Sequence, residues 1–266
     1  MSESVFLPDG EGFAPTELAR GPWDPQALHG GAPAALIARA FERYDPSAEL
    51  RFSRLSFELL RPVPFATLSV SVRTLRSGRR VRELAADLHA HLDGEPVLIC
   101  RAGALLLQAV PEGLRAAGQE GQHEAMPGPD EGRAIRFALS DDDSVSFAST
   151  EMEMRFLDDP RTLGPGRVWM RMRHPLLPGE QPSPLQRLAA TADFGNGISA
   201  SLPFDGFLFI NADLSVHLHR APRGEWIGLD ARTLLEPDGA GLSETVLHDV
   251  EGPVGRGFQA LVVGRR

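Results

Sequence analysis

The sequence predicts an α+β fold made of two tandem copies of one unit, each a long helix packed on an antiparallel sheet. Three observations predict it. LSFELLR at 55–61 returns as LSVHLHR at 214–220, and over positions 55–75 set against 214–234 seven residues are identical without a gap. Segments that alternate apolar and polar residues recur in both halves, separated by Gly- and Pro-rich turns. Each half also carries one alanine-rich helical stretch, HGGAPAALIARAFERY at 29–44 and SPLQRLAATADF at 183–194.

The chain opens on a loop. The first helix follows a glycine pair, with Pro33 in its first turn, where a missing N–H costs little. Strands are expected at 54–61, 68–75, 82–92 and 95–110, with turns at RPVPF, RSGRR and LDGEP. Residues 111–145, rich in Gly, Pro, Asp and Glu, read as a linker. Strands at 147–156 and 166–174 come next, then a helix with Ser183 as N-cap and Pro184 at its first position. Further strands follow at 207–220, 225–235, 242–249 and 254–264. The expected division is an N-terminal unit 1–110, a linker 111–145 and a C-terminal unit 146–266, with the two sheets continuous. DGEPV at 93–97 aligns with VEGPV at 250–254, an offset of 157 against 159 before it.

Bulk properties exclude several functions. The net charge of −9 argues against a nucleic-acid partner. A single cysteine, Cys100, precludes an intrachain disulfide and fits a cytoplasmic location. The first residues are polar and acidic, unlike a signal peptide, and no apolar run is long enough to span a bilayer. All 27 basic residues are arginine. Schiff-base chemistry, a pyridoxal lysine and a Walker phosphate loop all need an ammonium group and are excluded.

NADLSVHLHRAPRGEWIGLDART, a hairpin, and EGPVGRGFQALVV in the second half, with GPWDPQALHGGAPAALIARA in the first, resemble the double-hotdog acyl-CoA thioesterases, the acyl-CoA thioesterase II type. The resemblance spans roughly 6–110 and 146–264. It implies hydrolysis of fatty acyl-CoA thioesters without metal or cofactor, coenzyme A entering only as part of the substrate. It also implies an Asp, Thr and Gln that position the attacking water, carried over here as Asp213, Thr233 and Gln259. Their first-half equivalents, Arg54, Thr74 and Ala102, lack the chemistry at two of three places. The site is therefore expected once, in the second half, with LSFELLR as its structural copy.

A carboxylate at position 213 would be ionised at neutral pH and could take a proton from water; it could equally cap a strand after a turn. Thr233 and Gln259 share strand parity with apolar neighbours, whereas Asp213 faces the other way unless a bulge near 211–214 turns it. The amides of Gly30 and Gly31 at the first helix start are the expected oxyanion sink, with His29 beside them. Asp193 is the rival carboxylate. GNGISA at 195–200 follows a helix and so is no dinucleotide fingerprint, and no G-x-S-x-G elbow exists. His217 and His219 read as a solvated face rather than a metal site, and Arg73, Arg76, Arg79, Arg80 and Arg82 as a soluble turn or a contact for CoA phosphates. A non-catalytic acyl-CoA binding protein and, more remotely, a hotdog hydratase are the alternatives. One chain already holds a pair of units, so a homo-oligomer would form through other surfaces.

Overall fold

A computed structural model describes residues 3–22, 24–45, 49–109, 126–136 and 145–265. The strands in the first half are β1 (Phe6–Asp9), β2 (Gly12–Pro15), β3 (Leu50–Leu59), β4 (Leu68–Ser77), β5 (Val81–Leu92) and β6 (Glu95–Gln108), with helix α1 (Gly31–Tyr44) before β3. The second half has β7 (Arg133–Ala134), β8 (Met152–Phe156), β9 (Gly166–Met172), helices α2 (Pro184–Ala192) and α3 (Gly195–Ile198), β10 (Phe207–Asn211), β11 (Asp213–Leu218), β12 (Ile227–Leu235), β13 (Ala240–Asp249) and β14 (Gly252–Arg265). All of these strands join one antiparallel sheet of order β1-β2-β4-β5-β6-β3-β11-β14-β13-β12-β9-β8-β7, with β10 also paired to β14. The expected continuous sheet is present.

The repeat is visible in the register. At the centre β3 pairs with β11, and Ser56 lies opposite Ser215, its own counterpart 159 residues on. A local twofold axis passes between them, and the order β4-β5-β6-β3 mirrors β12-β13-β14-β11. One hydrophobic core runs through both halves, from Leu36, Ile37 and Phe41 of α1 to Leu185 and Leu188 of α2. The helices meet closely: a Cβ on Gly31 would stand 2.3 Å from the Ala190 carbonyl, so only glycine fits there. Ser183 caps α2 as expected, its Oγ accepting the Gln186 N–H at 3.1 Å.

Several expectations are corrected. The opening loop contains the β1–β2 hairpin, at one edge of the sheet. Residues 147–151 form a turn of π-helix rather than strand; the Ser146 side chain caps it, and Phe147 is buried against the ring of His29. Within the expected linker, β7 pairs with β8 and Trp169 Nε1 donates to the Pro127 carbonyl at 2.6 Å, so residues 126–136 pack on the C-terminal half. The rest of that stretch, 110–125 and 137–144, lies outside the described residues. The offset after the last hairpin is 155, not 157: Gln259 faces Ser243 and Ala104 faces Leu84, and Ser243 is 159 beyond Leu84. The β5–β6 hairpin extends to Leu92 and Glu95, while its shorter counterpart ends at Asp249 and Gly252. Gln259 thus corresponds to Ala104, which offers no hydrogen bond either.

The π-turn buries Glu151 completely, its carboxyl sharing a hydrogen bond of 2.7 Å with His174 Nδ1. Burial pushes its pKa from 4.5 up to about 7, against the opposing pull of His174. Between these values the folded chain keeps a proton that the unfolded chain releases, so this carboxyl makes stability fall as pH rises through that window. Urea unfolding below pH 4.5 and above pH 7 should show that decline, and Glu151→Gln should flatten it.

Candidate active site

The N-terminus of α1 and the C-terminus of α2 meet over the sheet, and a cavity of about 590 Å³ opens there. Its wall includes His29, Gly30, Asp193, Asn196 and Asn211, with apolar side chains such as Leu59, Val63, Leu208 and Ile210 around them. Asp193 is the C-cap of α2 and is only 7% exposed. Its Oδ1 accepts from Asn211 Nδ2 at 2.9 Å. Its Oδ2 lies 3.2 Å from His29 Nδ1 and directly against Gly30, where a Cβ would stand 2.7 Å away. His29 Nδ1 also sits 3.0 Å from the Gly31 nitrogen. That ring nitrogen can accept the Gly31 N–H or, when protonated, donate to Asp193, but not both at once. The ring is fixed by stacking on Phe194, centroids 4.2 Å apart.

The structure does not bring Asp213, Thr233 and Gln259 together around one space. The bulge expected near 211–214 exists, but it turns a different residue inward. On β14, Leu261 faces Asn211 and Phe258 faces Ser215, so the opposing strand holds one residue more, and the chain breaks pairing at Ala212. Asn211 consequently enters the cavity wall. The carboxylate of Asp213 accepts the Ala260 N–H at 2.7 Å and Ala212 donates to the Ala260 carbonyl, so Asp213 closes the hydrogen bonding of the bulge. Thr233 shares a hydrogen bond of 2.7 Å with Ser199 and does not line the cavity. Gln259 is 2% exposed and clamps the segment after α2: its Oε1 accepts from Asn196 N at 3.0 Å, and its Nε2 donates to the Asp193 carbonyl at 3.1 Å.

The first half carries the same bulge without the polar side chains that stand around it in the second. Between β3 and β6, Phe52 faces Leu106 and Arg54 faces Leu105, leaving Ser53 as the extra residue, 159 before Ala212. Phe52 therefore stands where the second half has Asn211, and Ala104 where it has Gln259. α1, like α2, ends on a buried aspartate, Asp45, but Arg82 forms an ion pair with it. The repeated arginine is divided the other way. Arg61 lies on the rim of the cavity, whereas Arg220 binds Asp249 away from it. LSFELLR thus contributes to the site, and LSVHLHR ends in a structural ion pair.

Among the described residues no cluster of three or more His, Cys, Asp or Glu has the arrangement of a metal site, and no helix is long and apolar enough to cross a membrane. Cys100 lies near Asp193, but burial pushes its thiol pKa up to about 12. It stays protonated at neutral pH and is no nucleophile.

The chain resembles solved structures over nearly its whole length. A candidate thioesterase of Novosphingobium aromaticivorans is 20% identical, with 98% of this chain and 99% of that one covered and a TM-score of 0.69. A hot dog fold protein of unknown function from Alicyclobacillus acidocaldarius is 15% identical over 97% and 95%, TM-score 0.71. The acyl-CoA thioesterase II TesB2 of Mycobacterium marinum is 17% identical over 94% and 96%, TM-score 0.64. At these identities the likeness establishes the hotdog fold. No curated protein matches the chain. The model of the acyl-CoA thioesterase N-terminal domain matches residues 19–107, and that of the C-terminal domain residues 121–263. With both domain models matched in order along one continuous hotdog sheet, the chain belongs to the acyl-CoA thioesterase family.

Proposed function

We propose that the protein hydrolyses fatty acyl-CoA thioesters to free acid and CoA, with Asp193 as the general base. The observation that carries this reading is the Asp193 carboxylate, buried in the wall of the cavity between the Asn211 amide and the start of α1. A water bound by the carboxylate attacks the thioester carbonyl carbon and gives its proton to Asp193. The carbonyl oxygen takes the negative charge, the C–S bond then breaks, and the proton passes to the departing thiolate sulfur. Asn211 orients the base, and Gln259 fixes the segment that carries it. The first turn of α1 faces the developing oxyanion with its backbone amides and positive dipole end. The Gly31 amide would exchange its His29 partner for the oxyanion. No metal or cofactor takes part, and the cytoplasm is the proposed location.

The test is release of free thiol from acyl-CoA by the wild-type protein in ¹⁸O-labelled water. Thiol release with label in the acid supports direct hydrolysis. Tight acyl-CoA binding without thiol release would make the protein a binding module on the same scaffold.

Gly30 supplies a sharper check. An alanine methyl there would need to stand 2.7 Å from Oδ2 and 3.0 Å from Oδ1 of Asp193. The carboxylate must move, and a displacement approaching an ångström lowers turnover about 10²-fold. Gly30→Ala should show that loss in steady-state kinetics while its thermal unfolding stays near that of the wild type.

A further inference from the structure

His29 Nδ1 has two partners and can serve only one. It stands 3.0 Å from the Gly31 nitrogen and 3.2 Å from Asp193 Oδ2. With the Gly31 N–H pointing at it, Nδ1 is the lone-pair nitrogen of a neutral ring, and the ring proton is on Nε2. The same lone pair then faces a carboxylate oxygen, acceptor against acceptor. Neither group can turn away. The ring is held by stacking on Phe194 at 4.2 Å and by Phe147 at 5.2 Å, and its side chain is only 10% exposed. Asp193 is held by Asn211 on Oδ1 and by the close approach of Gly30.

A buried acceptor that loses its donor bears the full cost of its desolvation. When the Gly31 N–H turns to the oxyanion, Nδ1 therefore needs another proton at that moment. The proton that Asp193 has just taken from water is within reach, at the 3.2 Å contact. We infer that His29 is a proton relay, which takes this proton from Asp193 Oδ2 as the Gly31 amide passes to the oxyanion. The inference rests on the thioesterase reading above. In the attack the water oxygen bonds to the carbonyl carbon, and the water proton moves to Oδ2 and on to Nδ1. A carboxylate then stands beside an imidazolium, and the positive ring lies next to the amide that holds the oxyanion. As the carbonyl re-forms and the C–S bond breaks, the proton returns through Oδ2 to the thiolate sulfur, and Nδ1 accepts from Gly31 again. One nitrogen thus ties the capture of the oxyanion to the movement of the proton.

The experiment is steady-state thiol release from one acyl-CoA by the wild type, by His29→Phe and by His29→Ala, the last with added imidazole or pyrrole. His29→Phe keeps a ring on Phe194 and removes the proton acceptor. It should lower kcat by about 10²-fold, the lower end for a positioned proton-transfer group, and leave KM within about twofold. Imidazole should raise the kcat of His29→Ala saturably, and pyrrole, which has the same shape without a basic nitrogen, should not. Should either variant fail to fold, the other decides. A near-wild-type kcat in folded His29→Phe, or an equal response of His29→Ala to imidazole and pyrrole, would overturn the relay and leave the thioesterase reading standing. No thiol release by the wild type would overturn both.

Discussion

Asp193→Asn should lower kcat for acyl-CoA hydrolysis by about 10²–10⁴-fold, the usual contribution of a positioned general base. The variant keeps the shape of the side chain and a carbonyl oxygen that can still accept from Asn211. It loses the capacity to take a proton. Because Asp193 is held by Asn211, by the His29 ring and by the close approach of Gly30, the amide has little freedom to reorient. Thermal unfolding should therefore change little while turnover collapses, which separates a catalytic loss from a folding defect. Substrate binding should survive, since the apolar walls of the cavity are untouched. Equilibrium dialysis with a slowly hydrolysed acyl-CoA checks that part.

Arg220→Met should be the most destabilising single change among the ion pairs. Asp249 is fully buried, and its two oxygens receive Arg220 Nη1 and Nη2 at 2.5 Å each, in the bidentate geometry that makes such pairs strong. The carboxylate also accepts from the backbone N–H groups of Arg223 and Glu251. Burial pushes the Asp249 pKa up, but Arg220 and these amides outweigh it and hold the group below its ordinary value. The stability it contributes is present above that ordinary value and is lost as pH falls through the lower folded one. Removing the guanidinium strands a buried charge, at a cost of about 3–5 kcal/mol. For a chain of this size each kcal/mol moves the unfolding temperature by roughly 2–4 °C, so calorimetry should find a drop of roughly 10 °C. The double variant Arg220→Met/Asp249→Leu should recover most of it, because an apolar pair of similar volume leaves no charge unpaired.

Much of the architecture was legible in the sequence because it depends on patterns that backbone geometry imposes. Alternation gave the strands, the glycine–proline punctuation gave the turns, and Ser183-Pro184 marked the start of α2. The repeat marked two copies of one unit, and the β3–β11 pairing places the twofold axis between them. The site was harder, for a reason confined to one residue. Strand parity is lost at the extra residue Ala212, so counting along NADLSVHLHR sets Asn211 and Asp213 on one outer face and hides Asn211, while the family resemblance alone put Asp213 forward. The sequence suggested a bulge but not its phase, and the phase decides which side chain faces the cavity. Asp193 was legible as the rival carboxylate, but its approach to Gly30, which sets it in the cavity wall, is a long-range contact across the two halves. The π-turn at 147–151 was hidden by apolar residues that fit a strand equally well. Arg61 and Arg220 show the limit of the repeat itself: copies keep the same letter while their neighbours assign it a different task.

Asp193 is proposed as the one catalytic carboxylate of the chain. The most direct measurement is kcat/KM of Asp193→Asn and of Asp213→Asn, set beside the wild type on the same acyl-CoA. Asp193→Asn is expected to lose about 10²-fold or more. Asp213→Asn, whose amide oxygen can still accept the Ala260 N–H, is expected to lose much less. Full activity in Asp193→Asn, or a collapse confined to Asp213→Asn, would contradict this assignment.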